Sequence, residues 1–140
     1  MSTKQWIMAY SIVVALATTL CIFVIASSSF QHSVAAVQQS SDTKVSIIQG
    51  ASTHPSNGFS PKSINVKVGD TVTWTNKDYP MHTVTSGTGL SDANKGKDFD
   101  SGYTALTTIG KTYSHQFTKA GDFVYFCQLH PAMTGKVTVS

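Results

Sequence analysis

Residues 121–133 read Gly121-Asp122-Phe123-Val124-Tyr125-Phe126-Cys127-Gln128-Leu129-His130-Pro131-Ala132-Met133. The run up to Cys127 is an aromatic strand, and the run after it is a loop. Residues 135–139 then close the chain as another strand. Upstream the same alternation of strand and turn recurs. Residues 111–117 form a strand, joined to the aromatic one through the turn Lys119-Ala120-Gly121-Asp122. Ile64, Val66 and Val68 alternate with Asn65 and Lys67, the pattern of a half-buried strand. Gly69-Asp70 turns the chain into residues 71–75, which place Val72 and Trp74 on one face. Residues 82–86 are predicted as a further short strand and residues 45–48 as the first. Residues 50–60, with Pro55, Asn57 and Gly58, read as loop, as do residues 87–102 with their four glycines. Many short strands between Gly, Asp, Asn and Pro turns, with no amphipathic helix, predict an all-β sandwich or barrel.

The loop after the aromatic strand holds a thiol, an imidazole and a thioether three residues apart: Cys127, His130 and Met133. Thiolate and thioether are soft ligands that favour copper, and imidazole suits it too. A His₂Cys set with a weak axial Met is the pattern of a blue-copper electron-transfer site. The missing imidazole is supplied by His82, in Tyr79-Pro80-Met81-His82-Thr83-Val84 between two strand-like runs. In this reading Cys127 binds as thiolate, His82 and His130 as neutral imidazoles, and Met133 as the axial ligand that tunes the potential. Zinc fits less well, because structural zinc takes Cys, His or carboxylate ligands and not Met. Taken singly, Cys127 reads equally as a small buried hydrophobe and Met133 as core; the combination and spacing make the case. His54 and His115 read as structural or solvated, and His32 as part of a tether.

Composition narrows the alternatives. The chain has 140 residues and a net charge of +3, with no Arg and no Glu. That charge is too mild and dispersed for a nucleic-acid partner. Cys127 has no second cysteine beyond the N-terminal Cys21, so the folded part forms no internal disulfide.

Residues 6–26 are almost uninterruptedly apolar, about the ~20 residues that span a bilayer. Lys4 precedes them and no Lys follows until Lys44, which places the N-terminus inside and the domain outside. The run is either an uncleaved anchor or a signal peptide cut near Ala26 or Ala36; its length favours the anchor. Residues 27–43, rich in Ser, Gln and Ala, read as a tether. The domain reading is therefore an export segment at 1–36, a tether and first strand at 37–58, and a metal-binding domain at 59–140.

From about Phe59 onward the chain resembles the cupredoxins, the family of plastocyanin, pseudoazurin and amicyanin. Val72-Thr73-Trp74-Thr75-Asn76, with His82 six residues later, resembles the segment carrying the family's first His ligand. Phe99-Asp100-Ser101-Gly102 resembles its mid-domain loop, and residues 121–127 resemble the strand leading to the Cys ligand. The short Cys-x₂-His-x₂-Met spacing is most similar to amicyanin. The family commonly has Pro directly before its first His, whereas here the order is Pro80-Met81-His82. The resemblance implies a Greek-key β-sandwich, preceded here by a transmembrane or signal helix, with one copper per chain cycling between Cu(II) and Cu(I). It implies that Asn76 ties the His82 loop to the Cys127 loop. It also implies that His130 is the port for electrons, with Tyr79, Pro80, Met81, Pro131 and Ala132 as an apolar docking rim.

The function expected is an extracytoplasmic one-electron shuttle between redox protein partners, with no small-molecule substrate. A copper carrier or storage protein is the alternative, but such proteins use exposed Met- or His-rich clusters, and only Met81 and Met133 lie outside the N-terminal segment. An enzyme would need a further copper with an open position, and the sequence offers no second His cluster.

Overall fold

The computed structural model describes residues 40–140. The apolar run at 6–26, with its reading as anchor or signal, lies outside the described residues, as do Cys21 and His32. Among the described residues no helix is long and apolar enough to cross a membrane.

Eight strands form the body: β1 (Asp42–Ile47), β2 (Phe59–Ser60), β3 (Ser63–Val66), β4 (Thr71–Asn76), β5 (Thr85–Ser86), β6 (Thr112–Gln116), β7 (Gly121–Phe126) and β8 (Thr134–Val139). They make two four-stranded sheets, ordered β2-β1-β4-β6 and β3-β8-β7-β5. One 3₁₀ turn, Pro55–Asn57, is the helical segment among the described residues. The protein is thus an all-β sandwich. β1 runs parallel to β4 and β3 parallel to β8, while the remaining pairs are antiparallel.

The alternation in β4 explains its place at the centre of the first sheet. Val72, Trp74 and Asn76 are all buried, and the residues between them are partly exposed. Trp74 is fully buried. Its ring lies edge-on to Tyr125 at 5.5 Å and stacks with Phe99 at 5.8 Å. Phe59 meets Tyr125 edge-on at 4.9 Å, joining the two sheets. Each aromatic side chain buries about 150–250 Å², so this cluster dominates the apolar stabilisation of a small core. Gly135 pairs with Tyr125 across β7 and β8. A side chain at Gly135 would collide with the Tyr125 ring, so its absence lets the ring lie flat on the strand.

Two strand expectations differ from the structure. Residues 59–60, expected as loop, pair antiparallel with β1; two residues are too short to display any periodicity. Of the strand expected at 82–86, only Thr85 and Ser86 form a ladder, with β7. The backbone donors before them are used otherwise. His82 N–H donates to Leu106 O, Thr83 N–H to Cys127 Sγ and Val84 N–H to Ser101 Oγ. A loop and a thiol have taken donors that a neighbouring strand would otherwise use. Val68, expected on the inner face, is 37% exposed because β3 ends at Val66.

Candidate metal centre

Cys127 follows directly on β7, in the same inward phase as Tyr125, and is fully buried. The loop after it folds back on itself. His130 N–H donates to Cys127 O at 3.3 Å, Met133 N–H to His130 O at 2.8 Å, and Cys127 N–H to Met133 O at 3.0 Å. Two short turns therefore return residue 133 to the level of residue 127 just before β8 begins. His82 arrives from the other sheet's side, in the connection between β4 and β5.

The three predicted ligands converge. His82 Nδ1 and His130 Nδ1 each lie 3.7 Å from Cys127 Sγ, and all three atoms fall within 4.8 Å of one another. Metal–sulfur and metal–nitrogen bonds of roughly 2.3 and 2.0–2.1 Å, opened to a trigonal angle, separate sulfur from nitrogen by about 3.7–3.8 Å. The trio therefore fits one first-row metal ion in a trigonal arrangement, the geometry associated with His₂Cys copper. His82 and Cys127 are buried and His130 is partly exposed.

The electrostatics favour the ligating thiolate of Cys127 and, in the metal-free chain, the protonated ring of His82, which a metal must displace. Burial pushes the Cys127 thiol up, but its contacts with His82, Thr83 N–H and His130 outweigh it and bring the pKa down to about 6. Burial alone would depress His82, yet its contacts with the Cys127 sulfur and with Asp78 hold it above the ordinary imidazole value.

Met133 is fully buried. Its side chain lies against Gly58, where a methyl group would stand 2.7 Å from Met133 Cε and 2.8 Å from Cγ. Asn76 is buried and its side chain makes three hydrogen bonds. Its amide donates to Pro80 O and Leu106 O, and its carbonyl accepts from Asp78 N–H. These bonds tie the His82 loop to the Leu106 segment. The tie to the Cys127 loop expected of Asn76 is made by Thr83, whose N–H meets Sγ at 3.3 Å and whose hydroxyl accepts from Gln128 N–H at 2.8 Å. Of the expected rim, Tyr79, Pro80, Pro131 and Ala132 are exposed and Met81 is partly so. Leu129, not anticipated, is also exposed. Away from the centre, exposed His54 contacts Thr53 Oγ1, and His115 packs tilted against Phe99 and edge-on to Phe117.

Sequence reasoning missed Asp78. Its Oδ2 sits 3.0 Å from His82 Nε2, with both side chains buried. The available signal was an acidic residue four positions before a candidate ligand, which is weak alone because it depends on how the loop folds.

The comparisons with known proteins agree with this centre. The chain is 35% identical over 83 residues to the chloroplastic plastocyanin of Tetradesmus obliquus, a match covering 58% of this chain and 57% of that protein. It is 37% identical over 83 residues to amicyanin of Paracoccus denitrificans, with the same coverage. It thus spans a little over half the length of these curated relatives. Among solved structures, a purple cupredoxin from Nitrosopumilus maritimus superposes with a TM-score of 0.60 at 33% identity, covering 71% of this chain and all of that one. The profile of the copper-binding proteins of the plastocyanin/azurin family matches residues 46–140, and the chain belongs to that family.

Proposed function

We propose that the protein is an extracytoplasmic one-electron carrier whose site is completed by Met133 as a fourth, axial ligand. The observation that carries this reading is the convergence of Cys127, His82 and His130 on one point from two different loops, two of them buried. When bound, copper supplies a Cu(II)/Cu(I) couple that gains or loses one electron without making or breaking a covalent bond of a substrate. The residues supply the rest. Contacts with Thr83 N–H, His82 and His130 hold the Cys127 thiol below its ordinary value. The closed hydrogen-bond circuit from Cys127 through His130 to Met133 limits how far these ligands move between oxidation states. His130, the partly exposed member, is the port, and Tyr79, Pro80, Met81, Pro131 and Ala132 form the rim on which redox protein partners dock. Exposed apolar residues beside such a port fit a docking surface. The apolar run at 6–26 would hold the domain at the outer face of a membrane, or be removed on export.

The test is visible absorption of the full-length chain loaded with Cu(II), with copper counted per chain. One copper per chain and an intense thiolate band that bleaches on reduction and returns on oxidation are expected. Bound copper with a faint band would remove Cys127 as a thiolate ligand and bring forward a copper carrier. More than one copper per chain would point to an enzyme. The position of the band also separates a blue centre from the purple colour of the Nitrosopumilus protein.

A further inference from the structure

We propose that Asp78 is a positioning residue of the copper site: its buried carboxylate fixes the tautomer of His82 and biases the bound metal toward its oxidised state. This rests on the electron-carrier reading above.

Asp78 is 3% exposed. Its Oδ1 accepts from Gly50 N–H at 2.9 Å and Tyr79 N–H at 3.0 Å. Its Oδ2 accepts from Ser52 N–H at 3.3 Å and stands 3.0 Å from His82 Nε2. The three backbone partners can only donate, and three such bonds spread over both oxygens favour the ionised form, which only accepts. The Oδ2 atom facing His82 then requires a proton on Nε2. A neutral ring with its proton on Nε2 keeps its lone pair on Nδ1, the nitrogen that faces Cys127 Sγ at 3.7 Å. The loop 50–52, remote in sequence from every ligand, thus helps dictate which nitrogen of His82 meets the metal.

The second consequence is electrostatic. A carboxylate on the far nitrogen of a ligating imidazole raises its donor strength. A fixed negative charge in a buried site interacts more strongly with a doubly than with a singly charged ion, and low local polarity enlarges the difference. Both effects favour Cu(II). An amide cannot substitute. In Asp78→Asn one of the two positions becomes an NH₂ group, facing either Gly50 and Tyr79 N–H or Ser52 N–H and the His82 ring. The second arrangement favours the opposite tautomer.

The test compares full-length wild type with Asp78→Asn, using Asp70→Asn as a control for loss of a backbone clip. The readings are the midpoint potential with copper and the ¹⁵N shifts of His82 in the copper-free chain at a pH where the ring is neutral. The expected results are an Nε2–H tautomer in wild type and an upward shift of potential in Asp78→Asn. A tenfold weakening of Cu(II) relative to Cu(I) binding corresponds to about 59 mV for one electron. An unshifted potential in Asp78→Asn with a reversible blue site in both proteins would overturn the proposal. So would an Nδ1–H tautomer in the copper-free wild type, a reading that does not require the variant to fold. A wild type lacking the couple altogether would instead overturn the functional reading, and the tautomer would still decide the role of Asp78.

Discussion

β4 has an aspartate just beyond each end, and the two make similar attachments. Before the strand, Asp70 accepts Ser41 N–H at 2.8 Å and Lys67 N–H at 2.9 Å. After it, Asp78 accepts Gly50, Ser52 and Tyr79 N–H. Ser41 immediately precedes β1 and Gly50 lies shortly after it, so the two carboxylates clip both ends of β1 to the strand it parallels. Both are held below the ordinary carboxylate value. For Asp70 the N–H groups of Lys67 and Ser41 are responsible. For Asp78 burial opposes the shift, and Gly50 N–H with the His82 contact overcomes it. The difference is one imidazole. Where the carboxylate meets Lys67 and Ser41 alone, it serves the fold; where the His82 ring completes its shell, the same device reaches the candidate metal site. A site can thus be built by adding one partner to an existing structural clip.

The comparison collapses most completely if the Asp78 end of β4 does not lead to a copper–thiolate centre. Cys127→Ser should therefore abolish the intense visible band while leaving the sandwich folded by circular dichroism. A band that survives would dissociate Asp78 from any thiolate site.

Met133 tests the other side of the same centre. Met133→Ala removes a fully buried side chain, and losses of this kind cost about 2–5 kcal/mol, here measurable as urea stability of the copper-free chain. Copper should still bind, with a shifted potential. A potential and spectrum equal to wild type would exclude the axial assignment.

A smaller perturbation enters from the loop that Asp78 holds. Gly58 has φ −63° and ψ −28°, values open to any residue, so the thioether and not the backbone demands glycine there. Gly58→Ala should cost about 1–3 kcal/mol by overpacking. That cost should shrink when Met133→Ala is also present, because residues in contact do not act additively. Simple additivity would mean that the loop accommodates the methyl group by moving away from the centre.

The smallest effect concerns Asp70 alone. Its folded value lies below the ordinary 3.8, so its contribution to stability is full above that pH and is lost as pH falls through the lower folded value. Asp70→Asn should flatten the acid limb of the stability curve, followed by urea midpoints from pH 7 down to about 2.5. It should leave the potential unchanged. A potential that moved with Asp70→Asn would erase the distinction between the two ends of β4.

The strands that alternate over four or more residues, and the chemistry of the candidate metal centre, were legible in the chain alone. Val72 and Trp74 announced the inner face of β4 because side chains alternate with a period of two. Cys127, His130 and Met133 are near neighbours in the chain, so their ligand types and spacing could be read without knowing the fold. His82 was legible as a candidate because it is an imidazole in a loop between strands. What depends on partners remote in sequence emerged with the folded arrangement. β2 is two residues long and exists because β1 is beside it. Residues 82–84 leave the ladder because Leu106, Cys127 and Ser101 take their donors. Thr83, and not Asn76, ties the His82 segment to the Cys127 loop. Asp78 became part of the site because the loop at 50–52 satisfies one side of its carboxylate and leaves the other for His82. Residue type fixes what a group can bind. Which partner it meets depends on long-range packing, and no local pattern encodes that.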